Sequence, residues 1–462
     1  MSIKRIQHRG VLIGECDQEG ERRADNTVPA HPNGIQVSAD RWLLVYATRR
    51  FRGNDDDCSI VYQLRADRPD GPLIREGMLA QATEDWQPDG LRTERRYKKE
   101  HRSPAAFGVP RGAMIGGREA PQSNVFAIRW GTVAREFDPD TKYIHGTDPD
   151  PEMVLRTQAV EWIQVRLNDS EDDIVPIRPV EQLRQVGYET GNLICSAEDV
   201  RFTMSCRIQA VPYGEDCIEW VENGHFDGAR LAARKYRFNA SDGCYEWIET
   251  GPFVFDRPGS AGGAQLVRVN GGWVVGHTTT TIDGHVWHGR GLSWIRLDDP
   301  FEPFGKSGAR SEPVLPLEPA TRAPANFYCC PDGVLRCFSG DGTNSPHANE
   351  RDPLYCWDID PDDGFRASNR RVIFDTVEAG LPIRPEARPK IDMCKLLPPQ
   401  GSIQYLVHRL SITSMFHQHV HTRPEFWIFP PMNRAEMESC GVYYGTIEYN
   451  DVVLPPWTFP SA

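Results

Sequence analysis

His101 and Arg102 stand side by side after the basic run Arg92 to Lys99, in a segment, His101-Arg-Ser-Pro-Ala-Ala-Phe-Gly-Val-Pro110, that interrupts the surrounding strand pattern. A histidine can take a proton, and a neighbouring arginine can clamp a carboxylate. On residue type alone, a solvated basic loop is the favoured reading of this segment. Tyr188 lies between Gly187 and Gly191, a loop context, and could abstract or donate a proton if an arginine lowered its pKa. Arg201 and Arg207 follow and could form the fork that binds a carboxylate in bidentate fashion. The competing reading has Tyr188 packing a turn and the arginines paired with Glu198 and Asp199. His225 and Arg230, in Asn223-Gly-His-Phe-Asp-Gly-Ala-Arg230, join Arg102 as candidates for holding a substrate.

Metal chemistry has three candidate sources. Cys330 and Cys356, with His225 and His408, would suit a structural zinc ion, although the cysteine spacing matches no standard finger. His417, His419 and His421 would share one face of a strand, as the three histidines of some catalytic zinc sites converge, but a sugar-binding surface or exposed edge strand is preferred. Asn54 to Asp57, and Asp148 with Asp150, are hard-oxygen clusters that could hold calcium. They lack the spacing of a helix-loop-helix calcium site, so solvated turns are favoured.

The elements that must position these residues are strands. Trp42 to Tyr46, Cys58 to Tyr62, Val125 to Trp130, Trp162 to Arg166 and Gly272 to Gly276 are rich in β-branched and aromatic residues and bounded by turn formers. Helical periodicity is confined to about one turn at Val180 to Arg184 and at Arg434 to Glu438. With 40 Gly and 37 Pro, the chain reads as all-β. An aromatic strand running into an Asp/Asn turn recurs at Tyr62 to Asp67, Trp162 to Asn168, Tyr236 to Asn239, Trp294 to Asp298 and Trp357 to Asp360. The later echoes recur roughly every 60 residues, against about 40–50 for a four-stranded propeller blade before insertions. The pattern predicts a single β-propeller over residues 1–462, with six to eight blades. Gly441 to Glu448 is expected to pair with Val11 to Gly14 and close the ring. Two packed β-sandwiches are the competing architecture.

Composition narrows the function. The 462 residues carry 52 Lys+Arg against 65 Asp+Glu, a formal net charge of -13, which argues against a nucleic-acid partner but leaves room for an anionic substrate at a local arginine cluster. No run approaches the ~18 apolar residues of a membrane span. No secretory signal is visible at the N-terminus, so a cytoplasmic location is expected. Twelve irregularly placed cysteines fit free thiols rather than a disulfide framework. A monomer or weak oligomer is expected.

Several segments together resemble a known group. They are His31-Pro-Asn-Gly-Ile-Gln-Val37, Leu44-Val-Tyr-Ala-Thr-Arg-Arg-Phe-Arg-Gly53, Ser59-Ile-Val-Tyr-Gln-Leu-Arg65, Phe107-Gly-Val-Pro-Arg-Gly112 and Gln185-Val-Gly-Tyr-Glu-Thr-Gly191. The resemblance is to the seven-bladed β-propeller polysaccharide lyases, which include ulvan lyases and L-rhamnose-α-1,4-D-glucuronate lyases, with a related rhamnosidase-like branch. It implies a seven-bladed fold and no organic cofactor. It also implies that His101, Tyr188 and Arg201 or Arg207 are the catalytic set. Many members carry a second histidine about twenty residues beyond the first. Here the region reads Ala120-Pro-Gln-Ser-Asn124, so Gln122 stands in its place.

The activity implied is β-elimination at a 4-linked uronic acid, possible in exo fashion at rhamnose–glucuronate ends. An arginine would neutralise the carboxylate, a Tyr or His would take the adjacent proton, and another group would protonate the leaving oxygen. The alternatives are a propeller glycoside hydrolase, rhamnosidase- or sialidase-like, which would need a carboxylate pair or equivalent, and a non-catalytic carbohydrate-binding propeller. The sialidase turn Ser-x-Asp-x-Gly-x-x-Trp is absent, and Ser241-Asp-Gly-Cys-Tyr-Glu-Trp247 is a loose echo of it.

Overall fold

A computed structural model describes residues 3–14, 28–49, 59–86, 97–115, 118–119, 124–138, 143–144, 159–183, 210–214, 217–226, 230–256, 262–282, 285–302, 325–340, 351–384, 387, 389–412 and 433–453. Among these residues the strands form six blade sheets and one two-stranded ribbon, Met114–Ile115 with Arg118–Glu119. The architecture is an all-β propeller of four-stranded blades. The seven blades implied by the family resemblance are corrected to six.

Blade 1 runs Val28–Ser38, Arg41–Arg49, Ser59–Ala66 and Leu73–Ala80 in sheet order. Blade 2 runs Tyr97–Phe107, Phe126–Asp138 and Ala159–Leu167, with Ile174–Pro176 and Glu181–Leu183 sharing the outer position and Thr83–Trp86 added inside. Blade 3 runs Val211–Pro212, Glu219–Phe226, Arg230–Asn239 and Cys244–Asp256. Gly262–Val269, Gly272–Ile282 and His285–Leu297 are the described strands of blade 4. Blade 5 runs Asn326–Cys329, Leu335–Gly340, Leu354–Asp360 and Arg366–Phe374. Blade 6 takes three strands from the C-terminal part, Pro389–Leu396, Ile403–Ile412 and Gly441–Tyr449, and its fourth from the N-terminus, Ile3–Gly14.

That last pairing closes the ring as the sequence predicts. Val11 faces Tyr443, Ile13 faces Val442 and Gly14 faces Gly441. Gly441 has φ +150, and a Cβ there would meet the Ile13 carbonyl oxygen at 2.4 Å, so this close approach admits only glycine.

The predicted aromatic repeat has a structural meaning. Tyr62, Trp162, Tyr236, Trp294 and Trp357 all lie on the third strand of a blade. In blades 2, 3 and 5 the Asx residue that follows starts the turn into the fourth strand by accepting backbone N–H groups. Asn168 Oδ1 accepts from Asp172 and Asp173 at 3.0 and 3.2 Å, Asn239 Oδ1 from Ser241 at 3.0 Å, and Asp360 Oδ1 from Asp362 and Asp363 at 2.9 and 3.2 Å. In blade 4 the neighbouring Asp299 does this, for Phe301 at 2.8 Å. Of the two predicted helical turns, Arg434–Glu438 is an α-helix capped by Asn433 and Glu436. Glu181–Leu183 is strand, because its edge pairs with Val160 to Trp162.

Apolar burial sits between the blades. Val45, Leu64, Ile128, Trp130 and Val165 join blades 1 and 2, and Phe107, Trp162, Trp220, Tyr236 and Tyr245 join blades 2 and 3. Val221, Leu266 and Trp273 join blades 3 and 4, and Val274, Trp294, Phe327 and Trp357 join blades 4 and 5. Tyr328, Phe338, Leu396 and Tyr443 join blades 5 and 6, and Ile13, Trp42, Leu44 and Tyr405 return to blade 1. Each sheet is thus buried on both faces by its neighbours, which is why the second and third strands are almost continuously buried.

The strand directions give the ring two unlike faces. On one, first strands join second and third strands join fourth, by short turns except for the segment 108–125 of blade 2. On the other, the upper face, first strands begin, second strands end and third strands begin. The chain segments 50–58, 184–209, 341–350 and 413–432 leave from and return to strand ends near that face. No helix among the described residues is long and apolar enough to cross a membrane.

Candidate functional site

The upper ends of blades 1 and 2 bring together a buried polar set. His101 and Thr132 are cross-strand partners on the first and second strands of blade 2, and Glu161 begins the third. The face that carries Ile128 and Trp130 into the apolar seam with blade 1 continues upward as Thr132, so the seam ends in polar groups. His101 Nδ1 lies 3.0 Å from Thr132 Oγ1, and His101 Nε2 lies 3.1 Å from the Gln81 carbonyl oxygen. A carbonyl can only accept, so Nε2 carries the proton. Burial pushes the His101 imidazole down to about 4, against the pull of Glu161. The neutral ring therefore presents Nδ1 as an acceptor to the Thr132 hydroxyl.

Glu161 is held by three donors. Oε1 accepts from Lys99 Nζ at 2.7 Å; Oε2 accepts from Trp130 Nε1 at 3.1 Å and lies 2.9 Å from Thr132 Oγ1. Burial pushes its carboxyl upward, but Lys99, His101 and Thr132 outweigh this and hold it below the usual carboxylate range. The Thr132 hydroxyl stands between an ionised carboxylate and a neutral imidazole and has one proton to offer either. A proton taken up at His101 Nδ1 can pass to Thr132 Oγ1 as the Thr132 proton passes to Glu161 Oε2, so the three groups form a relay.

A second pair lies deeper on the same seam. His31 Nδ1 is 3.3 Å from Ser103 Oγ, linking the first strands of blades 1 and 2.

A third cluster spans blades 2 and 3. Arg129 Nε donates to Glu222 Oε2, Tyr236 OH donates to Glu222 Oε1 at 2.7 Å, and Arg234 Nη2 lies 3.4 Å from Glu222 Oε1. All four side chains are buried. Sequence reading missed this cluster because its members are scattered over three strands of two blades, and nothing local marks an arginine that folding will bury. The clue available was an arginine inside an otherwise apolar strand, Phe126-Ala-Ile-Arg-Trp130.

Of the residues singled out from the sequence, His101 belongs to the relay. Arg102 pairs with Gly131 on the same strands, and His225 and Arg230 lie where the second strand of blade 3 ends and the third begins, at the upper face. Tyr188, Arg201, Arg207 and Gln122 lie outside the described residues, as do Asn54 to Asp57, Asp148, Asp150, His417, His419 and His421.

Among the described residues no group of three or more His, Cys, Asp and Glu side chains could hold a metal ion. Cys330 and Cys356 belong to the apolar seam between blades 5 and 6. Burial raises both thiols, Cys356 to about 12. His408 is fully buried among His8, Phe374 and Tyr443, with ring centroids 6.1, 4.7 and 5.7 Å away. The described residues thus lend the predicted zinc site no support.

Comparison with known proteins finds no matching family model and no matching curated protein. Solved structures do match. Trypanosoma rangeli sialidase in complex with the inhibitor DANA aligns with a TM-score of 0.50 and 8% identity, over 97% of this chain and 59% of that one. An α-L-arabinofuranosidase from Fusarium graminearum aligns at 0.45 and 9%, over 96% and 98%, and a Dyadobacter fermentans protein of unknown function at 0.47 and 8%, over 97% and 100%. The chain spans about three-fifths of the length of the sialidase. At this identity the likeness to the sialidase shows the fold alone, a β-propeller, and gives no support to membership of the lyase group.

Proposed function

We propose that this protein is a carbohydrate-active β-propeller that hydrolyses a glycosidic bond at the upper face of blades 1 to 3. The observation that carries the reading is the Glu161–Thr132–His101 relay. Glycoside hydrolysis needs a carboxylate together with a second acid or base across the bond. The relay offers the ionised carboxylate; His101 Nδ1 lies 3.5 Å from Glu161 Oε2 beside the shared Thr132 hydroxyl, so the ring stands on the same side of the bond as the carboxylate's proton partner. The sialidase and arabinofuranosidase among the structural neighbours act on saccharides, which supports a saccharide substrate here. Glu161→Gln keeps the size of the side chain and removes its charge. On a saccharide that the protein cleaves, it should slow turnover by roughly 10²–10⁴-fold. Unchanged turnover with a folded variant would sink this assignment.

Elimination is the second reading, and it rests on the family resemblance; Leu183, the last described residue before Tyr188 in the sequence, pairs with Val160, next to Glu161. In that reading neutral His101 or Tyr188 takes the proton next to a uronate carboxylate, and Arg201 or Arg207 neutralises that carboxylate. Arg102, Gln122, His225 and Arg230 are the candidates for holding the sugar. Tyr188→Phe, which removes one hydroxyl, tests this version: full activity in the variant would exclude it.

A further inference from the structure

The cluster between blades 2 and 3 carries more positive charge than its own residues compensate. Arg129 and Arg234 are 1% and 2% exposed, and both face Glu222, which is fully buried. Two guanidinium groups against one carboxylate leave one unit of positive charge. Glu222, Arg234 and Tyr236 act electrostatically on Arg129, and Tyr236 is no counter-ion: burial raises its hydroxyl far above the ordinary tyrosine value, so it stays protonated.

The hydrogen-bond count agrees with the charge count. Arg129 Nη2, Arg234 Nε and Arg234 Nη1 are buried and have no hydrogen-bond partner among the described residues. An uncompensated buried charge costs several kcal/mol, and a buried donor without an acceptor adds to it. Water could fill the empty donor positions, but it would leave the charge. A small anion answers both needs, because it accepts several N–H bonds and supplies the missing negative charge.

We propose that a small monovalent inorganic anion binds between blades 2 and 3, on Arg129 Nη2 and on one of the two empty donors of Arg234, Nε or Nη1. The site is independent of the proposed hydrolysis. It is buried in a seam between sheets, with Trp162, Trp220 and Tyr245 in the same seam, and serves to hold two blades together. Arg129 belongs to blade 2 and Arg234 to blade 3, so the anion bridges them.

Halide-dependent unfolding tests the site. Full-length protein is unfolded in urea at constant ionic strength while sodium gluconate is replaced by sodium bromide. Above the dissociation constant, the unfolding constant should fall about tenfold for each tenfold rise in bromide. Arg234→Met removes the excess charge and two of the empty donors, and should abolish this dependence. Crystals grown in bromide provide a reading that does not require the variant to fold: an anomalous peak is expected within hydrogen-bond distance of Arg129 Nη2 and of Nε or Nη1 of Arg234. Equal unfolding in bromide and gluconate, or density there without anomalous signal, would mean water alone fills the site and would overturn the proposal. Bromide dependence undiminished in a folded Arg234→Met would overturn it as well.

Discussion

His31 Nδ1 and Ser103 Oγ lie 3.3 Å apart, and the two residues occupy equivalent places in adjacent blades. Each is on a first strand, each precedes a proline, and their φ angles are 50 and 51. At both places the pairing with the second strand slips, between Ala30 and Asn33 and opposite Arg129 to Gly131. The left-handed region costs a non-glycine residue roughly 1–2 kcal/mol. Blades 1 and 2 therefore hold the same strained bulge, just below the His101 relay, and such strain gathers where a fold must aim side chains.

Substitution at Ser103 separates the strain from the hydrogen bond. Ser103→Gly gives up about 1 kcal/mol of hydrogen bonding and recovers a similar amount of strain, so stability should stay within about 1 kcal/mol of wild type. Ser103→Val loses the bond and places a β-branched residue in the left-handed region; a loss of about 2–3 kcal/mol is expected. Urea midpoints measure both. A valine variant as stable as the glycine variant would contradict the strained geometry.

Acid should weaken the fold through His101. Its pKa is about 4 when folded, against 6.5 for the free side chain. Between these values the unfolded chain binds more protons than the native one, so stability rises with pH. The contribution is fully present above about pH 6.5 and is lost as pH falls toward 4; its ceiling is of order 3 kcal/mol. His101→Gln should flatten this part of the stability–pH curve. His8, which burial also lowers to about 4, keeps its own share of the slope in the variant. Parallel curves for wild type and His101→Gln would refute the assignment.

Ring closure predicts a sharp contrast within one strand. Ile13 is buried against the core shared by Trp42, Leu44, Tyr405 and Val442, whereas Val11 is exposed. Ile13→Ala should cost about 2–4 kcal/mol and Val11→Ala under about 0.5 kcal/mol. Gly441→Ala should be costly as well, because the methyl group would meet the Ile13 carbonyl. Equal effects at positions 11 and 13 would mean that the N-terminal strand does not close the propeller in solution.

Local signals made much of this fold legible. The third-strand aromatics with their Asx turns, and the pairing of the two chain ends, could be read because each depends on a few neighbouring residues or on two complementary β runs. Blade count could not. The spacing left six to eight blades, with the wide interval from Tyr62 to Trp162 read as room for insertions, and the seventh blade came from the family resemblance; among the described residues that interval holds blade 2, with the segments 108–125 and 139–158 between its strands. At the site, His101 was legible because a histidine after a basic run stands out, but the solvated loop expected there is corrected: Tyr97–Phe107 is a strand paired with its neighbours, and His101 is buried on it. Glu161 was not, since a glutamate beside Trp162 reads as a solvent-facing strand residue until Thr132 and Lys99 are seen to meet it. The arginines at 129 and 234 were hidden for the same reason: their partner, Glu222, is set by blade packing.

Product analysis tests the central claim most directly. The protein is incubated with a panel of neutral and acidic oligosaccharides, and the products are followed by chromatography, reducing-end assay and ultraviolet absorbance. Hydrolysis should release new reducing ends with no rise in ultraviolet absorbance, and Glu161→Gln should suppress the release. A rise in absorbance would reveal the conjugated double bond of elimination and contradict hydrolysis in favour of a lyase. Binding of a saccharide without any cleavage, by wild type and variant alike, would contradict an enzymatic role for the upper face.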